Sequence, residues 1–372
     1  MPRLDLILIC CCFALASLAA VAGSREVVGI GFAAPLTGPQ AHYGKDSQNG
    51  AQLAIEELNA ADPRIGGRPV QFALVVEDDQ ASPTVGTIVA QRLVDRNIRA
   101  MAGHFNSGVT IPASRLYHDA GIPQLSVSTN VNYTRQGYRT ACRVMAADDK
   151  QGAALGQHAV TRLGLKRFAV VDDRTAYGQG LANAFAAAVT AAGAMVVKRE
   201  FTAVTDVDFR ALLTTLRGAN PDAIFFGGYD VQAGPMARQM RELGMSTPLL
   251  GGETLHTAKF IELAGSAAEG HLASTPGAAL ERRPGGKAFA EKYRQRFGHE
   301  TGLYAPYLYD SVLTIAAAME KAGSFEPSQY SATLRSNRYA GVTADIAFDA
   351  DGNLLEAPLS VFRVTGGRWV LQ

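Results

Sequence analysis

Short apolar runs alternate with amphipathic stretches along most of this chain, and that alternation constrains the fold more than any other feature. The first series opens with a β-rich run at 27–32. Residues 46–59 follow, where Ala51, Ala54 and Leu58 recur at the spacing of one helix face. Strands that alternate with helices form parallel sheets covered by helices on both faces. The first third of the chain therefore predicts a doubly wound α/β unit.

The same alternation restarts at residue 167 and predicts a second unit of similar build. Gly193 follows a predicted helix at 180–192, at the position where a left-handed glycine commonly ends one. The first series continues with predicted strands at 70–76, 100–102 and 124–127 and helices at 84–96 and 109–120. The second series has predicted strands at 167–171, 195–200, 223–226 and 248–250 and helices at 180–192, 209–217 and 231–243.

The final third contains too little strand to form a sheet of its own. Its predicted elements are helices at 287–297, 307–322 and 327–337 and strands around Ile346, Val361 and Trp369. We therefore expect these elements to complete the two earlier units. The expected lobes are 23–147 with 277–349, and 148–276 with 350–372. Several crossings between them would form a hinge.

The first 22 residues have the pattern of an export signal. Arg3 precedes an apolar stretch at 6–22, and the triplet Ala20-Val21-Ala22 offers the small residues of a cleavage site. We expect cleavage after Ala22 and a mature protein in the periplasm. A membrane anchor is the alternative, disfavoured because the stretch is short. Lipid attachment at Cys10 is a second alternative, disfavoured because Ile9 precedes it.

Charge and cysteine content exclude several classes of protein. The chain has 35 Lys and Arg against 34 Asp and Glu, so it offers no excess of positive charge for a nucleic acid or an anionic membrane. Beyond the first 22 residues the only cysteine is Cys142, which we expect to be a buried small apolar residue. The 7 histidines are scattered without metal-ligand spacing, so we expect no metal site.

Two segments resemble enzyme motifs but favour other interpretations. Residues 29–34 match the dinucleotide pattern G-x-G-x-x-A, which must open directly into a helix, yet Pro35 and a loop through Tyr43 follow. Asp78 and Asp79 end a strand and point to opposite sides, which favours a solvated turn and a helix cap over an acid or metal pair. We therefore expect no catalytic residues, no cofactor and no enzyme.

Polar and aromatic residues follow four of the predicted strands. Ligands of open α/β sheets bind outside the carboxyl ends of the strands. Ser107 and Gly108 stand where a helix begins, and its free N–H groups suit a carboxylate; an ordinary N-cap at Ser107 is an equal alternative. The other strand ends carry 126–130, 227–230 and 251–254. Together they predict two facing rims around a small ligand.

Several segments also carry a family resemblance. Residues 34–44 read A-P-L-T-G-P-Q-A-H-Y-G, and 49–59 read N-G-A-Q-L-A-I-E-E-L-N. With 103–114, 177–181, 225–229 and 250–253, the chain resembles the leucine/isoleucine/valine-binding proteins of ABC transporters. The resemblance implies a type I periplasmic binding fold, with two doubly wound parallel-sheet lobes joined by a multi-crossover hinge. It further implies a monomer without a cofactor that presents its ligand to permease subunits.

The resemblance assigns roles to individual residues. Ser107 would hold a ligand carboxylate, and the Ser128 carbonyl and Asn130 side chain would help to hold the carboxylate and the amine. Glu253, from the other lobe, would pair with the ammonium group. Tyr229 would close over the ligand from the second lobe. The side-chain end of the pocket would be shaped by Tyr43, Phe105, Tyr177 and Tyr304.

Some positions depart from the family pattern and leave the ligand open. The family usually has Thr where this chain has Asn130, and the disulfide of enterobacterial members aligns with Ala81 and Asn106, so both cysteines are absent together. The expected ligand is a branched-chain or other apolar or aromatic amino acid. The alternative is a periplasmic sensor of amides, urea or aromatic acids, although Glu253 favours a ligand with an amine.

Overall fold

The computed structural model describes residues 25–372 and shows two α/β lobes. The first lobe has a six-stranded sheet in which the central strands run parallel, with strand order β2-β3-β1-β4-β5-β6. Its strands are β1 (Glu26–Ala34), β2 (Arg64–Ile65), β3 (Arg68–Asp78), β4 (Ala100–Gly103), β5 (Gln124–Ser126) and β6 (Ala141–Arg143). Its helices from this part of the chain are α1 (Ala41–Ala60), α2 (Pro83–Asp95) and α3 (Ser107–Asp119).

The second lobe is built around a seven-stranded sheet. Its strands are β7 (Arg167–Asp172), β8 (Met195–Phe201), β9 (Ala223–Gly227), β10 (Leu249–Gly251), β11 (Leu272–Thr275), β14 (Ser360–Thr365) and β15 (Arg368–Leu371). Between β11 and β14 in the chain, β12 (Tyr339–Ala340) and β13 (Asp345–Ile346) form a separate antiparallel pair. The strand order is β15-β14-β11-β10-β9-β7-β8, in which β14 and β15 form an antiparallel edge. The helices are α4 (Asp148–Thr161), α5 (Ala176–Ala191), α6 (Arg210–Gly218), α7 (Asp230–Glu242) and α8 (Ala258–Ala264).

Three later helices return to the first lobe. They are α9 (Gly286–Phe297), α10 (Ala305–Ala322) and α11 (Pro327–Ser336). Helix α10 packs on α1, on β4 and on α11. The packing is close, because a Cβ added at Gly50 of α1 would meet the Ala305 carbonyl oxygen at 1.9 Å. The chain thus passes between lobes after β6, after β11 and before β14, which confirms the multi-crossover hinge.

Most predicted elements are present, but several boundaries differ. Helix α1 begins at Ala41 and α5 at Ala176, each four or five residues earlier than predicted, so Tyr43 and Tyr177 lie in first turns rather than loops. Gly193 follows α5 with φ +83°, as expected of a glycine that ends a helix. The predictions missed the helices α4 and α8 and the short strands β2, β6, β11 and β12.

Two sequence motifs are resolved by their surroundings. Residues 29–34 lie within β1 and a loop separates them from α1, which confirms the strand interpretation. The prediction for Asp79 was wrong: it is fully buried, with Oδ2 2.8 Å from His104 Nδ1, and Ser82 caps α2 instead. Asp79 is buried because the His104 ring supplies the hydrogen bond that water would otherwise provide.

Other expectations concern single residues and the amino terminus. Cys142 is buried, as expected, and burial raises the pKa of its thiol to about 12. The expected export signal at 1–22 lies outside the described residues. None of the helices between residues 25 and 372 is long and apolar enough to cross a bilayer.

Candidate ligand-binding site

A small cavity lies where the carboxyl ends of the two sheets face each other. Ser107, which follows β4, and Glu253, which follows β10, both line it from opposite lobes. Its volume is about 10 Å³, close to that of one water probe. The remaining lining residues are Phe105, Val127, Thr129, Tyr177, Tyr229, Thr254 and Tyr304. The predicted facing rims are therefore present.

The amino-terminal end of α3 has the chemistry of an anion site. Ser107 is the first helical residue and is 2% exposed, and the amides of Ser107 and Gly108 have no helical partners, whereas those of Val109 and Thr110 donate to the Asn106 carbonyl. The Ser107 hydroxyl oxygen accepts from Ser128 Oγ at 3.0 Å and lies 3.4 Å from the Asn130 amide nitrogen. The alternative that Ser107 caps its own helix is wrong, because Asn106 occupies the N-cap position and Ser107 is the first helical residue. Its own hydroxyl hydrogen remains able to donate to a carboxylate.

The loop behind Ser107 is held by a buried arginine that the sequence analysis missed. Arg143 is fully buried; its Nη1 donates to the carbonyls of Ser128 at 2.9 Å and Asn130 at 2.8 Å. Its Nη2 donates to Thr134 Oγ1 at 2.9 Å and Asn353 Oδ1 at 3.0 Å. The Ser128 carbonyl is thus already engaged on one side. An arginine inside the apolar run of residues 141–147 was the available signal.

The opposite end of the cavity carries negative charge. Glu253 is 3% exposed, and its Oε2 accepts from Gln151 Nε2 at 2.7 Å and from Tyr177 Oη at 3.0 Å. Burial raises the pKa of Glu253 above its usual value. Burial, and then the charge of Glu253, raises the pKa of Asp148 well above the usual range. Asp148 begins α4, and sequence reasoning missed it because that helix was not predicted.

Aromatic rings enclose the space between these two ends. The Phe105 ring stacks on Tyr43 with centroids 5.0 Å apart and meets the Tyr304 ring edge-on at 4.7 Å. The Tyr177 and Tyr229 rings lie 5.4 Å apart on the other side. The structure therefore brings all the predicted aromatic residues to one place. Tyr43 does not line the cavity itself, but its ring packs against Phe105, which does.

The lobes are closed on each other through hydrogen bonds. The Asn130 side chain takes part here, since its Nδ2 donates to the Ala176 carbonyl at 2.5 Å while its Oδ1 accepts from the Asn132 amide. Bonds between lobes also include Tyr43 Oη to the Thr254 carbonyl at 2.7 Å, Asn106 Nδ2 to Tyr229 Oη at 2.9 Å, and His42 Nε2 with Asp230 Oδ2 at 2.8 Å. The Asn130 amide is thus engaged between the lobes rather than directed at the cavity.

Comparison with known proteins agrees with this geometry. Residues 27–368 match the sequence profile of the periplasmic binding proteins. The chain belongs to this family. A relative in Pseudomonas aeruginosa, described as a leucine-, isoleucine-, valine-, threonine- and alanine-binding protein, is 31% identical over 350 residues, 94% of this chain and 93% of that protein.

Solved structures of periplasmic binding proteins share the fold. A leucine-binding protein from Thermotoga maritima superposes with a TM-score of 0.86 at 30% identity, covering 93% of this chain and 97% of that one. The substrate-binding protein of a branched-chain amino acid transporter from Streptococcus pneumoniae, in complex with isoleucine, gives 0.84 at 27% identity, covering 93% and 100%. The fold is that of type I periplasmic binding proteins, and the resemblance found in the sequence is confirmed.

Proposed function

We propose that this chain is a receptor that captures an α-amino acid between its lobes and delivers it to an ABC importer. One observation carries the proposal: Ser107 and Glu253 face the same buried cavity from opposite lobes. The first helical turn after Ser107 suits the carboxylate of an amino acid, and the Glu253 carboxylate suits its ammonium group. No covalent chemistry is needed for this role.

The ammonium group of an amino acid complements the buried carboxylate of Glu253. Within residues 25–372, the hydrogen-bond donors that reach the Glu253 carboxylate are the neutral Gln151 and Tyr177. A buried carboxylate without a cation is costly, so an ammonium group that enters the cavity gains a strong partner. The relatives named for leucine, isoleucine and valine support an amino acid over a simple carboxylic acid.

We also propose how the molecule is organised for this role. Residues 1–22 would be a cleaved export signal, and the mature monomer would work in the periplasm, where permease subunits recognise its closed form. The two lobes, 23–147 with 277–349 and 148–276 with 350–372, would move as units about the crossovers. The packing of α9, α10 and α11 against the first lobe supports this division.

A thermal-shift screen of the mature chain with matched ligands tests the proposal. Valine, isovalerate and isobutylamine share a side chain, but the latter two lack the amine and the carboxylate respectively. We expect amino acids to raise the unfolding temperature and the two fragments to have little effect. A ligand present at 100 times its dissociation constant stabilises the folded state by about 2.7 kcal/mol. Equal stabilisation by isovalerate would contradict the amino-acid assignment.

A further inference from the structure

The four tyrosine hydroxyls around the cavity differ in their hydrogen bonding. Three are paired. The Tyr43 hydroxyl donates to the Thr254 carbonyl at 2.7 Å, and the Tyr177 hydroxyl donates to the Glu253 carboxylate at 3.0 Å. The Tyr229 hydroxyl accepts from the Asn106 side-chain amide at 2.9 Å. The Tyr304 hydroxyl is buried and has no hydrogen-bond partner among residues 25–372. Buried polar groups are nearly always paired, so this hydroxyl calls for an explanation.

The Tyr304 side chain is held in place and cannot turn to another partner. Its ring is 2% exposed and stands edge-on to Phe105 at 84° and to Tyr43 at 87°. Its backbone amide donates to Asp46 Oδ2 at 2.9 Å, and so does that of Ala305, which anchors the start of α10 to α1. These contacts fix the ring of Tyr304, a residue that lines the cavity. Burial raises the pKa of Tyr304 well above its usual value, so the phenol stays neutral and can donate.

We infer that the ligand supplies the missing partner, so that this site selects amino acids with a hydroxyl on the side chain, of which threonine is the test case. The inference rests on the proposed function, which already uses the ligand's carboxylate at Ser107 and its ammonium at Glu253. The Tyr304 hydroxyl is then left for the side chain. Tyr304 and other aromatic residues line the cavity that this side chain would enter.

Threonine and valine are the matched probes for this inference. They have nearly the same shape and differ in a hydroxyl against a methyl group, so their affinity difference reports the hydrogen bond to the side chain. We expect calorimetry on the mature protein to show threonine bound about three- to tenfold more tightly than valine, the range for one neutral hydrogen bond. In Tyr304→Phe this ratio should fall to about one.

A second tyrosine provides the matched control. Tyr330 is also fully buried, but its hydroxyl donates to the Arg99 carbonyl at 2.7 Å outside the cavity. Tyr330→Phe should lower the unfolding temperature and keep the threonine-to-valine ratio of the wild type.

Two results would overturn the inference. Equal affinities for threonine and valine in the wild type would show that the site does not read a hydroxyl. A threonine preference that Tyr304→Phe leaves intact would assign the Tyr304 hydroxyl to a bound water instead. Both results leave the amino-acid receptor standing. That proposal fails separately, if neither these two nor any other α-amino acid binds.

Discussion

At the scale of single residues, the cavity is lined by one buried carboxyl group, that of Glu253, whose side-chain hydrogen-bond donors within residues 25–372 are neutral. Glu253 is buried against neutral Gln151 and Tyr177, and Asp148 lies near enough for the two carboxyl groups to interact. Desolvation is the largest cause of the raised pKa of each. A positive group placed between them would favour the charged forms. Burial of these carboxyl groups therefore destabilises the unliganded protein, and a bound cation would offset that cost.

We predict that Glu253→Gln weakens amino-acid binding at pH 7 by at least about tenfold, or 1.4 kcal/mol. Glutamine keeps the shape of the side chain but not its charge, so the ammonium group loses its partner while the packing stays. Calorimetry with the preferred amino acid measures the loss. Unchanged affinity would remove Glu253 from the site.

The raised pKa of Glu253 also predicts the direction of a pH dependence. As the pH falls through that raised value, Glu253 takes up a proton and the ammonium loses its partner, so wild-type affinity should fall by up to about tenfold per pH unit. Glu253→Gln should show a weaker dependence, and Asp148→Asn in the same background should weaken it further. Calorimetric measurements of amino-acid affinity at a series of pH values between 8 and 5 would test this dependence. Affinity that rises on acidification would contradict the assignment.

At the scale of elements, the positions of helix starts decide which side chains reach the cavity. Tyr177 lies in the first turn of α5 because Thr175 caps that helix, accepting from the Gly178 amide. The loop after β5 has no helix to hold it, and Arg143 from β6 replaces one by binding the carbonyls of Ser128 and Asn130. A buried guanidinium thus sets the backbone beside Ser107.

We predict that Arg143→Lys lowers the free energy of unfolding by about 2–3 kcal/mol and weakens ligand binding. An ammonium group cannot reproduce the planar fork that reaches four acceptors, so some of them lose their partner. Urea unfolding and calorimetry measure the two effects. Arg135→Lys is the control, because the Arg135 side chain is 64% exposed and its one ion pair within residues 25–372 is with Asp149, so we expect a change within about 0.5 kcal/mol. Equal stability of the two variants would show that Arg143 does not support the loop.

At the scale of the whole molecule, ligand binding depends on contacts that exist only when the lobes meet. A ligand shifts an open–closed equilibrium only through differential interactions with the two states. The hydrogen bonds of Tyr43 and Asn106 cross the cleft, and so does the His42–Asp230 pair, neither residue of which lines the cavity. Closure and ligand recognition can therefore be separated experimentally.

We predict that His42→Ala weakens the binding of every amino acid by the same factor, about two- to fivefold. The substitution removes a contact between lobes without touching the ligand, so it changes the cost of closure and not the selectivity. Calorimetry with threonine, valine and leucine measures the factors, and small-angle scattering of the unliganded protein should show a larger radius of gyration. Different factors for the three ligands would contradict a pure effect on closure.

The sequence predicted most of the fold, because periodicity and turn residues are local. It missed α4, whose Asp148, Gln151 and small residues give a weak apolar stripe, and β6 and β11, which are only three or four residues long. It placed Ser107 and Glu253 at strand ends because that position follows from the alternation of elements. It assigned Asp79 to solvent because its partner His104 belongs to another strand end.

Local patterns in the sequence suffice to predict two α/β lobes, their repeated crossings and the polar groups at the strand ends. The pairing of those groups appears first in the folded molecule, where Arg143 binds the loop beside Ser107, the Asn130 amide bridges the lobes, and the Tyr304 hydroxyl has no partner among residues 25–372. The difference follows from distance along the chain. Helix and strand signals come from neighbouring residues, whereas hydrogen-bond pairing in a cleft depends on segments that meet only after both sheets have formed and the lobes have closed.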